Sequence, residues 1–257
     1  MATSIHAEFR TEPAKVSAGQ PAMLIITVKD NQGQLRGLQV VHEKPMHLLV
    51  VSEDLSEFEH LHPEQTEDGS FRVTNTFQHG GNYRLYADFK PSHAEPVVDT
   101  FNLAVSGSAR PAVALVEDTT HTKTAQRDGL HVTMTTEKSL RAGEETLLNF
   151  AVTDACTSEP VTDLQPYLGA LAHFVIISQD GTDFLHAHPI EKSDLPATHG
   201  HQGGHEAKSQ MHGMSMASAS EVGAHTRFPR AGLYKVWAQF QRGGRVITVS
   251  FVVRVGQ

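Results

Sequence analysis

The sequence predicts an all-β protein built as two tandem β-sandwich domains. Three observations carry that expectation. The apolar runs are short and rich in β-branched and aromatic residues, as in AMLIITV, HLLVVS, YRLYADF and RVITVSFVVRV. They are separated by turns of Gly, Asp, Asn and Pro, and no helical periodicity lasts beyond a turn or two. The chain is also internally duplicated. SAGQPAMLIITVKD (17–30) lies on RAGEETLLNFAVTD (141–154), PMHLLVVSEDLSEFEHLHP (45–63) on LAHFVIISQDGTDFLHAHP (171–189), and FQHGGNYRLYADF (77–89) on FPRAGLYKVWAQF (228–240). Each half, apart from one insertion, is about 100 residues, the size of one seven-strand immunoglobulin or cupredoxin-like sandwich.

In chain order, residues 1–106 form the first repeat, 107–128 read as a linker, and 129–257 form the second repeat. The order of matching blocks is the same in both halves. Their spacing shifts by only a few residues until the last block, where the second half carries extra residues within 191–225.

Composition narrows the function. The 257 residues include 17 histidines but one cysteine, Cys156, so an internal disulfide and a Cys-based zinc finger are excluded. The formal net charge is −8 and the basic residues are dispersed, which argues against nucleic acid as a partner. No run approaches the ~20 apolar residues of a bilayer-spanning helix. The opening MATSIHAEF has no apolar segment, so no signal peptide is expected. That leaves a cytosolic protein, or a mature form with a start methionine.

The histidines fall in a pattern. SEDLSE is a turn between two strands, and a loop over 53–56 sets Ser52 opposite Glu57. Opposing residue numbers in an antiparallel pair sum to a constant, so His47 faces His62 and Leu49 faces His60. Alternation then gathers His47, Leu49 and Val51 on one face with Phe58, His60 and His62. Directly opposed Cβ atoms are ~4.5–5.5 Å apart, a spacing from which three imidazoles reach one ion at ~2.0–2.1 Å. The second repeat gives the same sums: with a loop over 179–182, His173 faces His188 and His186 joins them. Over the 18 aligned positions of the two hairpins seven residues are identical, and three of those are the histidines, which weighs against chance. A one-residue change of loop length would split each triad between faces.

His6 and His131 align as further candidate ligands, or as solvated first-strand residues. Asp88 and Gln239 align too, but point away from the buried Phe/Tyr face, and neither is assigned as a ligand. The insertion holds ATHGHQGGHEAKSQMHGMSMASAS (197–220), with His199, His201, His205, Met211, His212, Met214 and Met216 as additional candidates. Gly, Ser and Ala fill the rest, so it lacks the means to bury a core. Thioethers select Cu(I), and imidazole serves both copper states and zinc, so copper is expected, with zinc as the alternative.

Other chemistries are missing. A blue-copper site needs a Cys thiolate, yet Cys156 sits in the loop DACTSEP, remote from any His-x-x-Met pattern. There is no phosphate-binding Gly-rich loop, Gly-x-Ser-x-Gly elbow or His-Glu-x-x-His helix.

The segments MHLLVVSEDLSEFEHLHPE with GGNYRLYADF, and AHFVIISQDGTDFLHAHP with FPRAGLYKVWAQFQRGGRVITVSFVV, resemble the bacterial secreted YtkA-like domain. That family is a β-sandwich related to FixH-like domains and often accompanies heavy-metal and copper efflux systems. The likeness covers most of both repeats, and His-x12-His-x-His-Pro is its most specific part. It implies an extracytoplasmic, metal-associated protein, periplasmic or extracellular, with a metal efflux system as a partner. The leading expectation is metal binding, transfer or resistance through His47, His60 and His62 and through His173, His186 and His188. The competing readings are a mononuclear copper or iron oxidoreductase with a three-His centre, and a metal-free structural or adhesion module.

Overall fold

The computed structural model describes residues 5–35, 37–120, 122–187, 189–190 and 220–257. All regular structure among them is β. Contacts divide the chain into two units, residues 1–116 with 179–184, and 117–178 with 185–257.

The first unit has seven principal strands: β1 (His6–Glu12), β2 (Pro21–Asp30), β3 (Met46–Ser52), β4 (Phe58–Leu61), β5 (Phe71–Thr76), β6 (Gly81–Pro91) and β7 (Val97–Ser106). One sheet runs β1–β2–β5 and continues into the short Glu64–Gln65 strand. The other runs β7–β6–β3–β4, with Val16–Ser17 added to β7. Lettered in chain order these are the ABED and GFCC′ sheets of an immunoglobulin fold. Alternation builds the core. Met46, Leu48 and Val50 of β3 and Leu85, Ala87 and Phe89 of β6 face inward onto Leu24, Ile26 and Phe71. Leu48 is fully buried; truncation to alanine at such a site costs about 2–5 kcal/mol.

The second unit repeats the plan. Its strands are β8 (Thr122–Arg127), β9 (Leu130–Thr136), β10 (Glu145–Asp154), β11 (His173–Ser178), β12 (Phe184–Ala187), β13 (Glu221–Arg227), β14 (Gly232–Arg242) and β15 (Arg245–Val255). They form sheets β8–β9–β10–β13 and β15–β14–β11–β12. Phe150 stacks on Phe174 at 4.4 Å between ring centroids, in a core with Phe228, Phe240 and Phe251.

Two segments differ from the sequence expectation. The stretch read as a linker, 107–128, contains β8, which pairs with β9 from Thr122↔Thr135 to Arg127↔Leu130. Its charged residues had masked a strand whose inward side is carried only by Lys123 and Ala125. The insertion assigned to 191–225 ends earlier, since β13 begins at Glu221 and pairs with β10.

Both units carry a tyrosine corner the sequence had not disclosed. Tyr83 Oη donates to the His79 carbonyl at 3.0 Å, and Tyr234 Oη to the Arg230 carbonyl at 2.9 Å. The bond ties the start of β6, and of β14 in the second unit, to the turn before it, as in immunoglobulin domains.

Candidate metal centre

The β3–β4 hairpin adopts the register the sequence predicts. Leu49 pairs with His60, Val50 with Glu59 and Val51 with Phe58. Its loop closes through Ser52 N–H to the Glu57 carbonyl at 3.2 Å, with Leu55 N–H on the Ser52 carbonyl at 2.8 Å. Leu55 takes φ +57°, and its counterpart in the second hairpin, Gly181, takes φ +68°. One left-handed residue is what a four-residue loop on a tight turn requires. Asp54 locks the loop, accepting from Ser52 Oγ at 2.6 Å, Ser56 N–H at 3.1 Å and the Val113 N–H at 2.8 Å. Partial burial pushes the Asp54 carboxyl up, but these donors outweigh it and hold it well below the usual carboxylate range.

Because Met46, Leu48 and Val50 take the core side, His47 lies on the outer face of the sheet, and His60 and His62 lie there too. His47 is 3% exposed and the other two are half-buried. The ring centroids are 5.3 Å apart for His47–His60, 5.2 Å for His47–His62 and 4.6 Å for His60–His62. One ring nitrogen from each lies within 4.8 Å of the other two. Two ligand nitrogens held at about 2.0–2.1 Å on a tetrahedral ion are about 3.3 Å apart, so small side-chain rotations suffice. The three histidines fit a transition-metal ion by donor type and by convergence.

A turn that sequence reading missed orients the first of them. His42 and Glu43 take φ +48° and +63°, and a bridge joins Val41 to Lys44. This two-residue, left-handed turn presents the Val41 carbonyl 3.0 Å from His47 Nε2. A carbonyl only accepts, so Nε2 carries the proton and Nδ1 offers its lone pair. Nδ1 faces inward, 3.1 Å from His60 Nε2. A hydrogen bond that fixes the tautomer and ring plane is the usual support of a ligating imidazole. Burial drives the His47 pKa down; the Val41 bond and the Asp88 charge act in the opposite direction without overcoming it. His47 is thereby kept in the neutral form a metal needs. To turn its own lone pair inward, His60 has only to carry its proton on Nδ1.

The second unit repeats this device. Leu168 and Gly169 take φ +52° and +77°, Tyr167 bridges to Ala170, and His173 Nε2 lies 2.8 Å from the Tyr167 carbonyl. His173 is fully buried, and β12 beside β11 brings His186 to 6.0 Å between ring centroids. His188 lies outside the described residues, as do His199, His201, His205, Met211, His212, Met214 and Met216.

His6 and His131 do not join these clusters. Each stands in the opposite sheet of its own sandwich, His6 exposed at the head of β1 and His131 on β9, 3.4 Å from Thr153 Oγ1. The ~10 Å between packed sheets separates them from the histidine faces. His42 is a neighbour that the repeat pattern did not offer, its ring centroid 6.3 Å from that of His47. Only the Gly169 of the aligned YLGA marks the turn that carries it.

The family whose model matches residues 3–107 and 123–257 is described as a domain of unknown function (DUF8832). No curated protein matches the chain. Among solved structures, alpha-2-macroglobulin of E. coli in its native conformation is 12% identical over 97% of this chain and 14% of its own, with a TM-score of 0.28. Invasin, a bacterial integrin-binding protein, is 9% identical over 96% of this chain and 39% of its own, with a TM-score of 0.24. The titin fragment A168169 is 12% identical, with 100% of each chain covered and a TM-score of 0.24.

Proposed function

Since this chain belongs to the family described as a domain of unknown function (DUF8832), its role is to be read from its own residues, and we propose that it is a transition-metal-binding protein. In this reading His47, His60 and His62 hold one ion, and His173, His186 and His188 hold a second. The single observation that supports it is the convergence of three imidazole nitrogens within 4.8 Å on one sheet face. Packing alone gives no reason to gather three basic rings, because together they repel when protonated.

Copper is the ion the reading favours, with zinc as the alternative. Imidazole suits both, and the Met211, Met214 and Met216 thioethers in the His-rich stretch 197–220 favour Cu(I). That stretch would capture the ion or pass it on. The likeness of both hairpins to secreted YtkA-like domains supports a place in the periplasm or outside the cell, in metal transfer or resistance beside an efflux system.

Bound there, the ion would supply a Lewis-acidic centre. The protein residues do the rest: the Val41 carbonyl fixes the His47 tautomer, and the buried strand β3 holds its ring still. Calorimetric titration of tag-free protein tests the reading, with His60→Ala/His186→Ala as the control. The variant is expected to take up fewer ions per chain; an unchanged stoichiometry would remove the proposal.

A further inference from the structure

The sheet face that carries the triad holds a charge the sequence reading had set aside. In β6, Asp88 pairs directly with His47. Its neighbours Ala87 and Phe89 fill the core, so alternation sends Asp88 outward, onto the face of His47. Directly opposed Cβ atoms are about 4.5–5.5 Å apart. Half-buried in this position, its carboxylate acts electrostatically on both His47 and His42. Pointing away from the buried Phe/Tyr face is what brings it to the triad. The second unit differs at the matching position. Gln239 pairs with His173, is 4% exposed, and donates from Nε2 to Thr248 Oγ1 at 3.1 Å. Three neutral imidazoles carry no charge, so Asp88 partly offsets the charge of an ion held beside it, whereas the uncharged Gln239 side chain does not.

We propose that Asp88 makes the His47–His60–His62 centre selective for doubly charged ions, a selectivity its second-unit counterpart Gln239 does not confer. The inference rests on the metal-binding reading above. Coulombic attraction scales with the charge of the ion. Neutralising Asp88 therefore weakens a dication by about the square of the factor by which it weakens a monocation: a hundredfold loss for Zn²⁺ accompanies about a tenfold loss for Cu⁺. A purely structural role for Asp88 would weaken both ions alike.

The test uses the full chain and the variants Asp88→Asn and Asp88→Glu, with Zn²⁺ and Cu⁺ affinities from competition against chelators and Co²⁺ visible spectra reporting the ligand field. Thermal melts of the ion-free proteins check folding. Asp88→Asn is expected to lose at least tenfold for Zn²⁺ and clearly less for Cu⁺, while Asp88→Glu, which keeps the charge, recovers most of the Zn²⁺ affinity. Equal losses for the two ions, no loss, or no recovery in Asp88→Glu would overturn the role of Asp88 while leaving histidine binding intact. Should wild type bind neither ion, both readings fall. If Asp88→Asn does not fold, the Zn²⁺-to-Cu⁺ ratio of Asp88→Glu against wild type decides, since retained charge has to retain the ratio.

Discussion

At the scale of single residues, His47 is the pivot of the first centre. It is buried on β3, it donates from Nε2 to Val41, and its Nδ1 faces His60. Burial holds its pKa below the usual histidine range, and His42 is shifted the same way for the same reason. The sign for stability follows. As pH falls below about 6.5 the unfolded chain takes up protons at these positions before the folded one does, so stability present above that pH declines until the folded pKa values are passed. The ion-free protein is expected to melt at lower temperature as pH drops from 7 towards 5, and His47→Gln to flatten that slope. A slope that His47→Gln leaves untouched would place the titrating group elsewhere. The Asp54 contribution is separate, since its carboxyl is held low and is lost only in strong acid.

At the scale of elements, the hairpin sets everything. The pairing Leu49↔His60 places all three histidines on one face, and the loop over 53–56 fixes that pairing. Deleting one loop residue, Ser56, shifts β4 by one position and turns His60 and His62 toward the core side. Such a variant is expected to lose histidine-dependent metal uptake at the first centre; uptake at wild-type affinity would refute the register argument. Much of this was readable beforehand. Strand polarity and the serine–aspartate turn determined the register arithmetic, and the duplicated spacing pointed to which histidines to group. The left-handed turn at His42–Glu43 was not readable, because a His-Glu pair carries no turn signature, and Gly169 alone hinted at its counterpart. Nor was β8, whose TKTAQR lacks the apolar alternation of an amphipathic strand and is held by its partner β9 instead.

At the scale of the whole molecule, duplication has kept a plan and varied its details. Both units pack a three- or four-strand sheet against one ending in the histidine hairpin, both anchor β6 or its counterpart β14 by a tyrosine corner, and both orient the leading histidine on a turn carbonyl. What differs is the group opposite that histidine, Asp88 in one and Gln239 in the other. The sequence comparison had aligned these two residues but not their bearing on the histidines, because the face they share emerges only when β6 and β14 are set beside β3 and β11. The most direct test of the account is the anomalous-scattering map of a crystal of the protein loaded with zinc or copper. The account expects a metal peak about 2.0–2.1 Å from Nδ1 of His47, from Nε2 of His60 and from a ring nitrogen of His62. A peak bound elsewhere, with these three rings holding no ion, would contradict it.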